Sequence, residues 1–151
     1  MNVAVVILNW NGRSMLERFM PSVVKYSENV VVADNGSTDN SVAFLEAEYP
    51  DVRVLRFDRN YGFAEGYNKA LAQVKADYYV LLNSDVECTP HWLEAPIRIM
   101  EANPRIAVMQ PKLMMYDSKD TFEYAGGAGG FIDSYGYPFC RGRLFSTMEN
   151  R

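Results

Sequence analysis

An α/β fold, with a mostly parallel central sheet and helices on both faces, follows from three observations in this 151-residue sequence. Short segments rich in β-branched and aromatic residues alternate with segments of helical period. The first, second and fourth of these short segments are apolar almost throughout, as parallel strands covered on both faces are. Each one ends in a cluster of polar side chains, and in an open α/β sheet such ends gather on one edge.

The elements can be justified in chain order. VAVVIL (Val3 to Leu8) is the first strand. Leu16, Phe19, Met20 and Val23 then fall on one helical face, and Pro21 is expected to kink or interrupt that helix. VVVA (Val30 to Ala33) is the second strand; the helix after it carries Val42 and Leu45, with Asp39 placed to cap its N-terminus. VRVLRF (Val52 to Phe57) is the third strand. Phe63, Tyr67, Ala70, Leu71 and Val74 mark a third helix running to Ala76. YYVLL (Tyr78 to Leu82) is the fourth strand, and Thr89-Pro90 reads as the cap and first-turn proline of a helix ending near Asn103-Pro104. Successive β–α–β units imply right-handed crossovers. Ile106 to Met109 is expected as a further short strand, and the glycine- and aromatic-rich YAGGAGGFIDSYGYPF beyond it as irregular structure or short hairpins.

Composition narrows the function classes. With 48% hydrophobic residues the chain can build one domain with a real core, and its length does not call for two. A net charge of −4 without any Lys/Arg block argues against binding along a nucleic-acid backbone. An acidic chain that takes a phosphorylated ligand needs another source of positive charge, and a divalent cation is the simplest. The apolar runs are too short to span a bilayer, and Met1 leads into a strand without a basic flank or cleavage site, unlike a signal peptide. Cys88 and Cys140, in no CxxC or Cys/His spacing, read as reduced thiols of a cytoplasmic protein.

The strand ends carry the chemistry. They read Asn9-Trp10-Asn11-Gly12, Asp34-Asn35-Gly36-Ser37-Thr38-Asp39, Asp58-Arg59-Asn60-Tyr61-Gly62-Phe63 and Asn83-Ser84-Asp85. Neither a GxGxxG after the first strand nor a GxxxxGK[ST] occurs, so a nucleotide here would be held by side chains and a metal rather than by a glycine cradle.

VVILNWNG, VVVADNGSTDNS, RNYGFAEGYNKAL and YVLLNSDVECTPHWLE occur in that order and at that spacing. Together they resemble the family-two nucleotide-sugar glycosyltransferases of GT-A, Rossmann-like fold, especially the branch that includes rhamnosyltransferases of bacterial surface polysaccharides. The resemblance implies metal-assisted, inverting transfer from a UDP- or dTDP-type nucleoside diphosphate sugar to a saccharide or lipid-linked saccharide acceptor. It makes residues 1–116 the nucleotide-sugar-binding domain and 117–151 the start of an acceptor-side region, within a single domain overall. Asp34 would accept from the N3–H of a pyrimidine, with Asn9 and Asn11 bordering the base. Asn60, Gly62 and Phe63 would belong to a loop that closes over the nucleotide. Asn83-Ser84-Asp85 takes the place of the D-x-D motif: Asp85 would ligate Mg²⁺ or Mn²⁺, and Asn83 would face the ribose or the water shell of the metal. Peripheral membrane association of the full-length protein is compatible with such an acceptor, although no segment here anchors the chain.

Plainer readings stand beside these. Asp34 and Asp85, taken singly, are also ordinary turn residues, and Asp39 reads as a cap. His91, Trp10 and Trp92 read as structural or packing residues. Gly66 lies where a helix could approach either the sheet or a ligand closely. Inverting transfer needs a general base; Glu123 and Asp133 do not match the acidic pair that the family uses, so the base is expected beyond Arg151. Two alternatives remain open: a nucleotide-binding fragment without catalysis, and a sugar nucleotidyltransferase of related fold, although Asn9 to Arg13 is not the basic glycine-rich loop of the latter.

Overall fold

The computed structural model describes residues 1–123, 129–140, 143–144 and 147–148. The chain divides into two compact units, Met1–Pro90 and His91–Arg151. In the first, strands β1 (Val3–Asn9), β2 (Val30–Asp34), β3 (Arg53–Arg56) and β4 (Tyr78–Leu82) form one sheet in the order β3-β2-β1-β4. All pairings are parallel. Helices α1 (Arg13–Lys25), α2 (Ser41–Glu48) and α3 (Gly62–Leu71) make the crossovers.

The strand order decides which helix covers which face. From β1 to β2 to β3 the chain steps one way, and from β3 to β4 it returns across both to the far edge. Right-handed crossovers therefore put α3 on the face opposite α1 and α2. Side-chain parity agrees. Ala4, Val6, Val31, Ala33 and Leu55 cluster with Tyr67 and Ala70 of α3 and with Val74 just beyond its end. The alternate residues Val5, Ile7 and Val32 are equally buried and face the other way, toward the side from which α1 contributes Leu16, Phe19, Met20 and Val23, and α2 contributes Leu45. Each of the buried Val, Leu, Ile, Phe and Met side chains among these contributes on the order of 1.5–3 kcal/mol of transfer free energy.

Several details depart from the sequence-based expectation. Pro21 lies inside α1 without ending it. It and Glu17, whose carbonyl loses its amide partner to the proline, are both exposed, so water can take that acceptor. The strand β4 is not covered on both faces: it is an edge strand, and Tyr79 and Leu81 stand 42% and 52% exposed. The helix α3 stops at Leu71, short of Ala76. Gly66 answers the question of close approach, because a Cβ there would meet both Leu8 methyls at 3.0 Å and the Asn35 amide nitrogen at 3.2 Å. The absent side chain lets α3 lie against the sheet.

In the second unit the fourth helix, α4, spans Glu94–Ala102 and does not begin at Thr89-Pro90. His91 takes a left-handed φ of 61°, which breaks the helical path, and its ring bonds Glu94 at 2.6 Å. The first-turn proline is Pro96, two residues after Glu94, where a missing N–H leaves no intrahelical bond unmade. Residues 106–109 form no strand; Val108 is 86% exposed. The hairpin-rich stretch is present as two antiparallel pairs, β5 (Gly130–Ile132) with β6 (Pro138–Cys140) and β7 (Arg143–Leu144) with β8 (Thr147–Met148). Asp133 builds the β5–β6 turn by accepting from the amides of Tyr135 and Tyr137 at 2.8 and 2.9 Å. Residues 124–128, the start of the glycine- and aromatic-rich stretch, lie outside the described residues. No helix among the described residues is long and apolar enough to cross a membrane.

The Tyr67 hydroxyl, on a side chain 3% exposed, donates to the Leu82 carbonyl at 3.0 Å and ties α3 to the end of β4. Tyr67→Phe leaves that carbonyl unsatisfied and is expected to lower stability by about 1–2 kcal/mol in urea denaturation. An unchanged midpoint would show that the bond is not needed.

Candidate functional site

Parallel pairing brings the four strand ends to one edge. Asn9 and Asp34 are register partners and, by parity, point to the same side. A carboxylate only 3% exposed needs donors. Asn9 supplies one from Nδ2 to Oδ1 of Asp34 at 2.9 Å, and the Ser37 amide supplies the other to Oδ2 at 3.0 Å. The Ser37 hydroxyl in turn accepts from Asn9 Nδ2 at 3.1 Å and from the Asn11 amide at 2.9 Å. Asn11, with φ of 50°, closes the ring by accepting the Thr38 amide at 2.8 Å. Asn9, Asn11 and Asp34 thus form one network, joined through Ser37.

Asn9 is fully buried, and its Oδ1 has no hydrogen-bond partner among the described residues. The Asp34 carboxylate fixes which way the amide points, so Oδ1 is turned toward Gly12, where a Cβ would collide with it. Glycine at position 12 is therefore a steric requirement of the network.

Asp39 does not stand at the N-cap of α2 as expected. That position is Asn40, in the left-handed conformation at φ 62°. Standing one residue earlier, Asp39 bridges two helices. One oxygen accepts the Arg13 amide at the start of α1 at 2.8 Å, and the other accepts the amide of Ser41 at 3.2 Å and its hydroxyl. Burial pulls the Asp39 pKa up, but the bonds from Ser41 and Arg13 outweigh it and hold the group below its ordinary 3.8.

Asn60, Gly62 and Phe63 meet the site through a residue that sequence reading did not single out, Asn35. Its side chain, 2% exposed, accepts the Tyr61 amide at 2.9 Å and donates to Asn60 Oδ1 at 2.9 Å and to the Gly62 carbonyl at 3.1 Å. Gly36, at φ 76°, lies so close to this loop that a Cβ would stand 2.6 Å from the Arg59 carbonyl carbon. The local sequence offers little to find it by, since an Asn-Gly pair after a strand is also ordinary turn chemistry. Phe63 is 66% exposed and packs edge-to-face on Tyr67 at 4.9 Å. Arg59 and Lys69 place their charges over the Tyr61 ring, at 4.8 and 4.2 Å. The Tyr61 hydroxyl bonds Asp58 at 2.7 Å and lowers its pKa.

Asn83 and Asp85 follow β4 directly and are both exposed. Neither is drawn into the network of Asn9 and Asp34 among the described residues. Trp10, expected to pack, is instead 57% exposed beside Asn9. Burial pushes the Cys88 thiol up to about 11, which removes it from nucleophilic chemistry. An open cleft of about 310 Å³ flanks the site beside α2, lined by Ser37, Thr38, Ser41 and Arg56 but not by Asp34. The strand ends themselves form an open edge rather than an enclosed cavity.

An open parallel sheet whose polar strand ends gather at its carboxyl edge, with β2 and β4 flanking β1, defines a doubly wound α/β protein. The family model for glycosyl transferase family 2 matches residues 4–140, and the chain belongs to that family. The sequence is 29% identical, over 121 residues, to the N-acetylglucosaminyl-diphospho-decaprenol L-rhamnosyltransferase of Mycobacterium tuberculosis, covering 71% of this chain and 39% of the relative. Among solved structures, it is similar to the mannosyltransferase of Pyrobaculum calidifontis in complex with GDP-Man and Mn²⁺. That match has a TM-score of 0.61 and 21% identity, over 70% of this chain and 33% of that one. It is also similar to S. aureus TarS 1-349 in complex with UDP-GlcNAc, with a TM-score of 0.60 and 18% identity, over 78% and 42%. The chain therefore spans about two fifths of the length of the rhamnosyltransferase.

Because the folded-state pKa of Asp39 is lowered, its contribution to stability is fully present above 3.8 and is lost as pH falls through the folded value. The stability difference between the parent and Asp39→Asn should be largest near neutral pH and shrink below pH 4. Urea titrations across that range test this, and a pH-independent difference would contradict it.

Proposed function

We propose that this chain is the donor-binding part of a glycosyltransferase that moves a sugar from a UDP- or dTDP-type nucleoside diphosphate sugar to an acceptor hydroxyl with inversion. The observation that carries this reading is the buried Asp34 carboxylate at the ligand edge of the sheet. Asn9 and the Ser37 amide each give one of its oxygens a hydrogen bond, and each oxygen keeps acceptor capacity. A uracil or thymine N3–H suits that capacity. Asn11 borders the base from the end of β1, and Asn60, Gly62 and Phe63 form the wall on the β3 side.

A divalent cation suits the end of β4. Asp85, with the Asn83 amide oxygen and the Ser84 hydroxyl beside it, is a hard-oxygen donor set. The described residues contain no group of three His, Cys, Asp or Glu side chains that could hold a metal by themselves. One carboxylate is enough for Mg²⁺ or Mn²⁺ that is completed by diphosphate oxygens and water. When bound, the cation offsets the charge that builds on the departing diphosphate. Asp85 would hold it, the rigid strand would fix Asp85, and Asn83 would face the ribose or the metal's water shell.

The acceptor would be a saccharide or a lipid-linked saccharide, as the name of the mycobacterial relative suggests. Bacterial cell-surface polysaccharide synthesis in the cytoplasm, with peripheral membrane association of the full-length protein, accords with that acceptor. Residues 1–116 would hold the donor and 117–151 would begin the acceptor side.

Calorimetry with UDP, dTDP and GDP, each with and without Mn²⁺, tests the reading. Binding is expected for a pyrimidine nucleotide, with a metal-dependent part that Asp85→Ala removes. Asp34→Ala should weaken the same nucleotide about 10- to 100-fold, as loss of a hydrogen bond to a charged group does. Failure of all three nucleotides to bind would sink the proposal.

A further inference from the structure

The side chain of Asn35 is oriented by two backbone groups whose chemistry is unambiguous. Its oxygen faces the Tyr61 N–H at 2.9 Å, and its nitrogen faces the Gly62 carbonyl at 3.1 Å. A flipped amide would set donor against donor and acceptor against acceptor, so the assignment is fixed. The same Asn35 nitrogen also reaches Asn60 at 2.9 Å, and the Gly62 amide reaches the same Asn60 atom at 2.7 Å. An atom that receives two donors has to be the oxygen. Asn60 is exposed, and its amide nitrogen has no partner among the described residues. Its acceptor is spent inside the loop and its donors are left over.

We propose that Asn35 is a positioning residue that turns Asn60 so that it offers only N–H donors at the strand edge, toward an acceptor oxygen of the bound nucleotide. The inference rests on the nucleotide reading above and narrows it: the ligand atom that meets Asn60 is a carbonyl, ribose or phosphate oxygen, not an N–H. Two further features make the arrangement a latch between the β2 end and the loop after β3. The Asn35 amide donates to the Asn9 carbonyl at 2.7 Å, so the residue is anchored on β1 as well. Gly36 meets the Arg59 backbone so closely that the loop can rest there only without a Cβ at position 36. The loop is thus held to the same turn that carries Asp34.

Two variants separate latch from ligand contact. Asn60→Asp keeps an oxygen for Asn35 and Gly62 but replaces the outward donors with a carboxylate oxygen. It should retain the slow amide exchange of Tyr61 and Gly62 and lose at least about tenfold in UDP affinity. Asn35→Ala should speed exchange at those two amides in the free protein, whatever the nucleotide does. The proposal is overturned if Asn60→Asp binds UDP as tightly as the parent, or if Asn35→Ala leaves the exchange unchanged. A parent chain that binds no nucleotide overturns the donor role along with the reading beneath it, while the exchange measurement still decides the latch.

Discussion

The geometry of the strand edge depends on one hydrogen bond, from the Asn9 amide to the buried Asp34 carboxylate. A carboxylate 3% exposed needs hydrogen-bond donors, and the neighbouring strand supplies one at the register position directly across. Everything around it follows from that pairing. With Asn9 Nδ2 committed to Asp34, its Oδ1 is turned inward and excludes any side chain at Gly12. With Ser37 drawn in to serve Asp34, its hydroxyl is placed to hold Asn11, and Asp39 two residues on reaches the starts of both α1 and α2. The turns after β1 and β2 are therefore one structure, assembled around the Asp34 carboxylate and tied to both helices by Asp39.

The fold and the edge were legible because both rest on strong patterns. Val3 to Leu8 and Val30 to Ala33 are apolar in the way that doubly covered strands are, and the switch to Asn9 and Asp34 marks where covering ends. What misled was information that sequence pattern does not carry. Tyr78 to Leu82 is as apolar as the inner strands, yet its edge position depends on the order of the sheet. Thr89-Pro90 has the chemistry of a helix start, but a left-handed His91 moved that start to Glu94. Pro21 is a breaker by propensity, and an exposed setting let the helix absorb it.

The site residues divide in the same way. Asn9, Asn11 and Asp34 could be found because each ends a strand or follows one immediately. Asn35 sits beside them in sequence and was passed over, since an Asn-Gly pair after a strand reads as a turn. Its role depends on a partner loop 25 residues away, a distance that no local pattern spans. Asp39 was identified as a cap and turned out to serve two helices, because its second ligand, the Arg13 amide, comes from the other crossover.

The sheet order also has a consequence for how the chain is made. Of the four strands of this sheet, the earliest in the chain is an inner one, with β2 on one side and β4 on the other. Its first edge is satisfied within some thirty residues. Its second waits for a partner about 75 positions away, where the Asn2 amide meets Asp77. Until then β1 carries a bare, strongly apolar edge, and closing it requires long-range parallel pairing, the slow and aggregation-exposed kind. The segment that completes the polar strand edge is thus also the one that covers β1, so the assembly of that edge and the pairing of this inner apolar strand are the same event.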